Sequence, residues 1–391
     1  MRQRRSDEAL HTKLIGDAVH KLGLTASRGS GARDSRHMES FDSGPRGMDA
    51  RLARAMRGLH GALGGASFTL SEAQSAGVGR GSLSRLVAVG ALVRVARGMY
   101  VVRHSEHPWI DRLRGLLEGH PEIAACRVTA ARLTAVAIPP DHAVRHRRAA
   151  GESRTDPGRM PPKAGQGTPG CSDRLHLCGI DGFDVPHWRV PGVEFARMSV
   201  PASHVIEAHP GIRVTDPIRT ALDLARGRDL ACALVPLDSV LRQVIQQGFP
   251  PHVARSIVGD RCDEMGSAPG VRAVRRALGF MHAGAETALE SLVRGRLIDA
   301  GIEGIRVQLL LAGASGHEYR VDLGLEKAPG RFVIIEADGL GKYAVAADLA
   351  KEKLRQHDLE SAGHGVVRVV YREAAYEPSG FIARVRSMLA P

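Results

Sequence analysis

Aromatic residues make up only 4% of the 391-residue chain, so base stacking on an aromatic platform is not the expected mode of any nucleic-acid contact. Cysteine is scarce as well. The five cysteines (Cys126, Cys171, Cys178, Cys232 and Cys262) are odd in number, widely scattered and without a Cys-x-x-Cys pair. That pattern excludes a disulfide framework and gives no zinc-site spacing. No run of about 18 apolar residues occurs. The opening Met1-Arg2-Gln3-Arg4-Arg5 is charged, with no apolar stretch behind it. A cytoplasmic protein with no membrane association is expected.

What the chain has is length, apolar content and positive charge. At 43% hydrophobic it can build sizeable cores, and its length suggests two or three folded units. The net charge of +12 favours a polyanionic partner. Its distribution is more informative than its sum. Residues 51–104 carry eight arginines (51, 54, 57, 80, 85, 94, 97 and 103) against one acid, Glu72, a local net charge of +7. Residues 284–391 are close to neutral.

Residues 1–50 mix Ser, Gly, Arg and Asp with little periodicity after Leu24 and read as a disordered extension. Residues 51–104 predict three helices and a hairpin. Thr69-Leu70-Ser71-Glu72 has the form of a capping box opening a short helix that ends at Gly77. A second helix starts near Gly81 with Leu83, Leu86 and Val87 on one face, and stops at Gly90. Leu92–Val95 and Met99–Val102 then flank Ala96-Arg97-Gly98, a hairpin signature. This is the order of a winged helix-turn-helix, in which the second helix of the turn enters the major groove of double-stranded DNA and the wing follows the backbone. Arg80, Ser82, Ser84 and Arg85 would line the recognition helix, with Arg94 and Arg97 on the wing. A basic surface that binds protein instead is the alternative.

Residues 107–280 read as a mostly helical middle domain with some strand near 193–205 and a flexible insertion near 143–175. Residues 284–391 predict an amphipathic helix over 285–300, then strands near 305–312, 318–325 and 331–337. A helix over 346–361, a strand over 366–371 and a last helix from Ser379 complete the order αβββαβα. Folding the chain about Lys327-Ala328-Pro329-Gly330 sets Asp322 opposite Ile335 or Glu336. Two carboxylates so placed, about 5 Å apart, repel unless a cation sits between them. A divalent metal with oxygen ligands is the usual solution, and phosphodiester hydrolysis the chemistry that follows. The alternative is that these acids pair with Arg320 or Arg331 at a strand edge, and Glu290 with Arg294.

The C-terminal order, with an acid on its second strand and Glu336-Ala337-Asp338 ending its third, resembles the PD-(D/E)XK nuclease fold, particularly very-short-patch-repair endonucleases. The resemblance implies that Asp322 and Glu336 bind Mg²⁺ (or Mn²⁺), with Glu290 as a third acid, the metal lowering the pKa of a bound water. Asp338 stands where that family has lysine. Either Lys342 replaces it, or Asp338 is a further metal ligand. Leu70-Ser71-Glu72 to Arg97-Gly98-Met99-Tyr100, together with Val214–Ala225, resembles AbiEi antitoxins of bacterial type IV toxin-antitoxin systems. This implies a repressor of its own promoter with a toxin partner. The α+β multidomain chain is therefore expected to be a Mg²⁺-dependent DNA endonuclease positioned by a winged helix. The alternative is an AbiEi-like autorepressor whose nuclease fold is not catalytic.

Overall fold

A computed structural model describes residues 49–63, 67–96, 98–103, 107–140, 174–185, 190–338 and 346–390, the side chains of 346–350 excepted. The expected extension up to residue 48, nearly all of the expected insertion, Arg97 and Lys342 lie outside the described residues. The described residues fall into two compact units, one of 49–135 and 174–220, the other of 136–140 and 221–390.

The first unit opens with α1 (Ala50–Leu63), β1 (Phe68–Thr69), α2 (Leu70–Ser75), α3 (Arg80–Ala88), β2 (Leu92–Ala96) and β3 (Met99–Val102), the strands ordered β1-β3-β2. The capping box is formed. Thr69 Oγ1 accepts from the Glu72 N–H at 3.2 Å, and the Glu72 carboxylate accepts from the Thr69 N–H at 2.6 Å. Gly77 takes a left-handed φ of +79° just beyond α2, a conformation that a side chain would resist. Leu83 and Leu86 are fully buried against Leu59, Ala73 and Val78, which fixes the roll of α3 and turns its polar residues outward.

The same unit continues through α4 (Pro108–Glu118), β4 (Ile123–Ala125), α5 (Arg127–Thr134), β5 (Leu175–Ile180), β6 (Val193–Val200), β7 (Val205–His209) and β8 (Ile212–Thr215). These strands form one sheet in the order β6-β5-β4-β8-β7. The middle segment is helical over most of its described elements, as expected, but holds more strand than the stretch near 193–205, because its first half is built around this five-stranded sheet. Nor does a break follow the hairpin. Val95 and Val101 of β2 and β3 share a core with Leu113 and Leu117 of α4 and with Ile123, Leu175 and Val214 of the sheet.

The division between the units falls inside α6 (Pro217–Ala225). The second unit continues with α7 (Leu230–Gln246), α8 (Pro251–Asp263), α9 (Val271–Leu278), α10 (Ala288–Asp299), β9 (Arg306–Ala312), β10 (Glu318–Ala328), β11 (Arg331–Asp338), α11 (Ala346–Ser361), β12 (Gly365–Val370), α12 (Tyr371–Tyr376) and α13 (Pro378–Leu389). Its sheet runs β12-β11-β10-β9. The β9, β10 and β11 strands are antiparallel, while β11 and β12 are parallel across the α11 connection. The expected order is thus present with one short extra helix, α12.

The run 332–335 is covered on both faces. Val333 and Ile335 join the core of α7, α10 and α13, whereas Phe332 and Ile334 pack with Leu359 of α11. Helices expected to belong to a middle domain therefore share the core of the C-terminal sheet. Ala231, Cys232 and Val235 of α7 lie in one cluster with Leu292 and Leu323. α7 and α10 approach tightly at Gly295, where an added Cβ would sit 2.4 Å from Ala231 Cα. That glycine sets the depth of α10 and with it the positions of Glu290 and Arg294. No helix among the described residues is long and apolar enough to cross a membrane.

Candidate nucleic-acid interface and carboxylate cluster

On α3, Arg80, Ser84 and Arg85 are exposed and Ser82 is half-buried, as the burial of Leu83 and Leu86 requires. Neither Arg80 nor Arg85 takes an acid partner among the described residues, so their full charge faces solvent. Arg94 is exposed on β2, where its Nε donates to the Ala96 carbonyl at 3.3 Å across an irregularity in the β2–β3 pairing. Arg51, Arg54 and Arg57 add an exposed basic row along α1. The row was visible only as charge before the helix was placed.

The second cluster lies in the other unit. Leu323 pairs with Ile335, which sets Asp322 across from Glu336 as the turn geometry predicted. The two side chains then find separate partners. Asp322 Oδ2 accepts from the Ala337 backbone N–H at 2.9 Å. Glu336, 13% exposed, faces the opposite side of β11 from Ile335 and meets Arg355 of α11 at 2.8 Å and Arg368 of β12 at 3.9 Å. Arg368 also reaches Asp338 at 3.6 Å and Glu352 at 2.6 Å, and Arg355 reaches Glu352 at 3.6 Å. Burial pushes the Glu336 carboxyl above its ordinary range. The Arg355 and Arg368 charges oppose this, and Glu352 and Asp322 add to it by repulsion.

Glu290, buried on α10, accepts from the Glu286 N–H at 2.8 Å and from the Gln308 amide at 3.0 Å. Burial again raises its pKa, with Asp322 repelling the charge further. Gln308 lies between Val307 and Leu309 on β9 with φ +53°, a left-handed conformation worth about 1–3 kcal/mol of strain for a residue with a side chain. The kink lets Val307 pack with one core and Leu309 with the other while the Gln308 amide turns to Glu290. The alternative partners expected from sequence are not those found. Arg320 pairs with Glu286 at 3.0 Å, and Arg294 pairs with Asp238 at 2.8 Å.

A Mg²⁺ site needs several oxygens converging at about 2.0–2.1 Å with free lone pairs. Here the four described candidate acids, Glu290, Asp322, Glu336 and Asp338, already face donors from the protein. Among the described residues no group of three or more His, Cys, Asp or Glu is placed to hold a metal ion. The residues as arranged do not fit the metal that the fold resemblance implies. Arg355, Arg368 and Gln308 are the residues that meet these acids in the structure. Arg355 had one signal, its i+3 spacing from Glu352. The other two had none.

The raised Glu290 pKa has a measurable consequence. The folded state holds this proton more tightly than the unfolded chain, so stability is lost as pH rises from the ordinary value of 4.5 through the raised one. In urea unfolding from about pH 4.5 to about pH 7, the wild type should lose stability relative to Glu290→Gln. A difference that stays flat across that range would contradict the burial assigned to this carboxyl.

Residues 67–103 match a family model described as transcriptional regulator, AbiEi antitoxin. The chain is 28% identical over 217 residues to the uncharacterized protein Rv2248 of Mycobacterium tuberculosis strain H37Rv, covering 52% of this chain and 75% of the relative. The same values hold for the uncharacterized protein MT2308 of strain CDC 1551 / Oshkosh. A crystal structure of the RV2827C protein from M. tuberculosis aligns over 60% of this chain and 83% of that one. Its TM-score of 0.28 and 14% identity are too low to bear on the fold.

Proposed function

We propose that the protein is a double-stranded-DNA-binding transcriptional regulator of the AbiEi antitoxin type, in which residues 50–102 act as a winged helix-turn-helix. The observation that carries the reading is the exposed Arg80 and Arg85 on α3, without an acid partner among the described residues, with Arg94 on the hairpin, inside the segment that matches the regulator family. In this reading α3 enters the major groove and the β2–β3 hairpin lies along phosphates. A toxin partner belongs to the same reading. The C-terminal unit has the element order of a PD-(D/E)XK nuclease but serves as a structural or assembly domain. Footprinting on the DNA upstream of its own gene should give a discrete protected site. Equal, unlocalised protection of that DNA and of an unrelated duplex would reject the regulator.

A second reading, a Mg²⁺- or Mn²⁺-dependent endonuclease, is favoured by one observation: Asp322 repels both Glu336 and Glu290, each of which is withdrawn from solvent, as acids awaiting a cation do. It requires that Arg355 and Arg368 swing away when metal binds. Incubation of supercoiled plasmid with the protein and Mg²⁺ or Mn²⁺ separates the two readings. The regulator leaves the plasmid intact. The nuclease nicks it, and Asp322→Ala or Glu336→Ala stops the nicking in a folded protein.

A further inference from the structure

The mismatch between a nuclease-like sheet and a cluster that offers no open metal position has a positive meaning. We infer that Arg355 and Arg368 are the resident cations of the carboxylate cluster, standing where a divalent metal would stand. They make the C-terminal unit a metal-independent fold. The inference rests on the non-catalytic reading of that unit.

Three carboxylates, Glu336, Asp338 and Glu352, converge from β11 and α11 on two guanidinium groups. Arg355 contributes one Nη to Glu336 and the other to Glu352, and the same Nη2 donates to the Arg320 carbonyl at 2.9 Å. Arg368 spans Glu336, Asp338 and Glu352 from the neighbouring strand β12. A guanidinium keeps its charge at any physiological pH and presents several donors in a fixed plane, so it can bridge carboxylates from different elements as an ion does. Unlike an ion, it is supplied by the chain and cannot be chelated away.

The remaining two acids are covered without charge. The Ala337 N–H holds Asp322, and the Gln308 amide with the Glu286 N–H holds Glu290. The kink at Gln308 belongs to the same arrangement, because it delivers a neutral donor to Glu290, which lies apart from both arginines. A hydrated divalent ion entering here would have to displace Arg355 from Glu336. It would also take from that half-buried guanidinium its nearest carboxylate, a cost that opposes binding.

The test uses the full-length chain stripped with EDTA, titrated with Mn²⁺ alone by calorimetry and melted with and without millimolar Mn²⁺. The wild type should show no saturable Mn²⁺ binding and an unchanged Tm. Arg355→Gln/Arg368→Gln should melt several degrees lower in EDTA and regain most of that loss in Mn²⁺, since its acids are then left without cations. Should the double variant not fold, Arg355→Gln and Glu336→Gln/Arg355→Gln take its place. Removing both partners should restore stability over removing the arginine alone. Saturable Mn²⁺ binding by the wild type with a rise in Tm would overturn the inference, as would a double variant that Mn²⁺ does not rescue. Either result leaves the footprint on upstream DNA untouched, so failure here is distinct from failure of the DNA-binding reading.

Discussion

Arg294→Ala is expected to destabilise the second unit by about 3–5 kcal/mol, an effect as large as emptying a core position. Arg294 on α10 and Asp238 on α7 are both buried, and one guanidinium nitrogen lies 2.8 Å and 3.0 Å from the two carboxylate oxygens. Asp238 also accepts from the His282 N–H at 2.8 Å, so three segments of chain meet at this one carboxylate. Burial already raises the Asp238 pKa despite the arginine beside it. Removing Arg294 would leave a buried carboxylate with no opposite charge to balance its desolvation, and it must protonate or the packing must open. Replacing both partners, as in Asp238→Leu/Arg294→Met, should cost much less than Arg294→Ala, because no stranded charge remains. Denaturant unfolding of the three variants checks this. An Arg294→Ala loss below about 1 kcal/mol would mean that the pair is hydrated rather than buried.

The second large effect is on DNA affinity. Arg80→Ala/Arg85→Ala/Arg94→Ala should weaken binding on the order of 100-fold, at about 1 kcal/mol or more for each side chain that touches a base edge or phosphate. All three are exposed, and Leu83 and Leu86, which anchor α3, are unchanged, so the fold and its Tm should hold. Each phosphate contact contributes about −0.9 to the slope of log affinity against log salt. The triple variant should therefore show a shallower slope as well as weaker binding. Arg51, Arg54 and Arg57 serve as an internal control. If charge alone sets affinity, removing that row should do the same damage as removing the α3 and hairpin arginines. If α3 is the reading element, the damage should be smaller and should fall equally on specific and unrelated DNA.

The parts legible in the sequence were those governed by local rules. The capping box at Thr69 and Glu72, the glycines at 77, 90 and 98, and the Leu83/Leu86 spacing placed the elements of residues 67–102 almost to the residue. In the C-terminal unit the Pro329-Gly330 turn gave the β10–β11 register and so the juxtaposition of Asp322 with Glu336. The five-stranded sheet was not legible, for a physical reason. Its central strand β4 is three residues long and wholly buried, so it shows no alternation, and it pairs with β5 some fifty residues away.

The cluster was half legible for a related reason. Residue type and hairpin register bring two acids together, but which cations reach them depends on the placement of α11 and β12 against β11. The left-handed Gln308 had no signal at all, since glutamine rarely adopts that conformation and only the packing on both sides of β9 holds it there.

The measurement that bears most directly on the central claim is an anisotropy titration of the full chain against its own upstream DNA and a scrambled duplex at several salt concentrations, for the wild type and the α3 and hairpin arginine variant. Tighter wild-type binding to the upstream duplex, with both the preference and part of the salt slope lost in the variant, is the predicted result. Equal affinity of wild type and variant, or equal affinity for both duplexes, would contradict it.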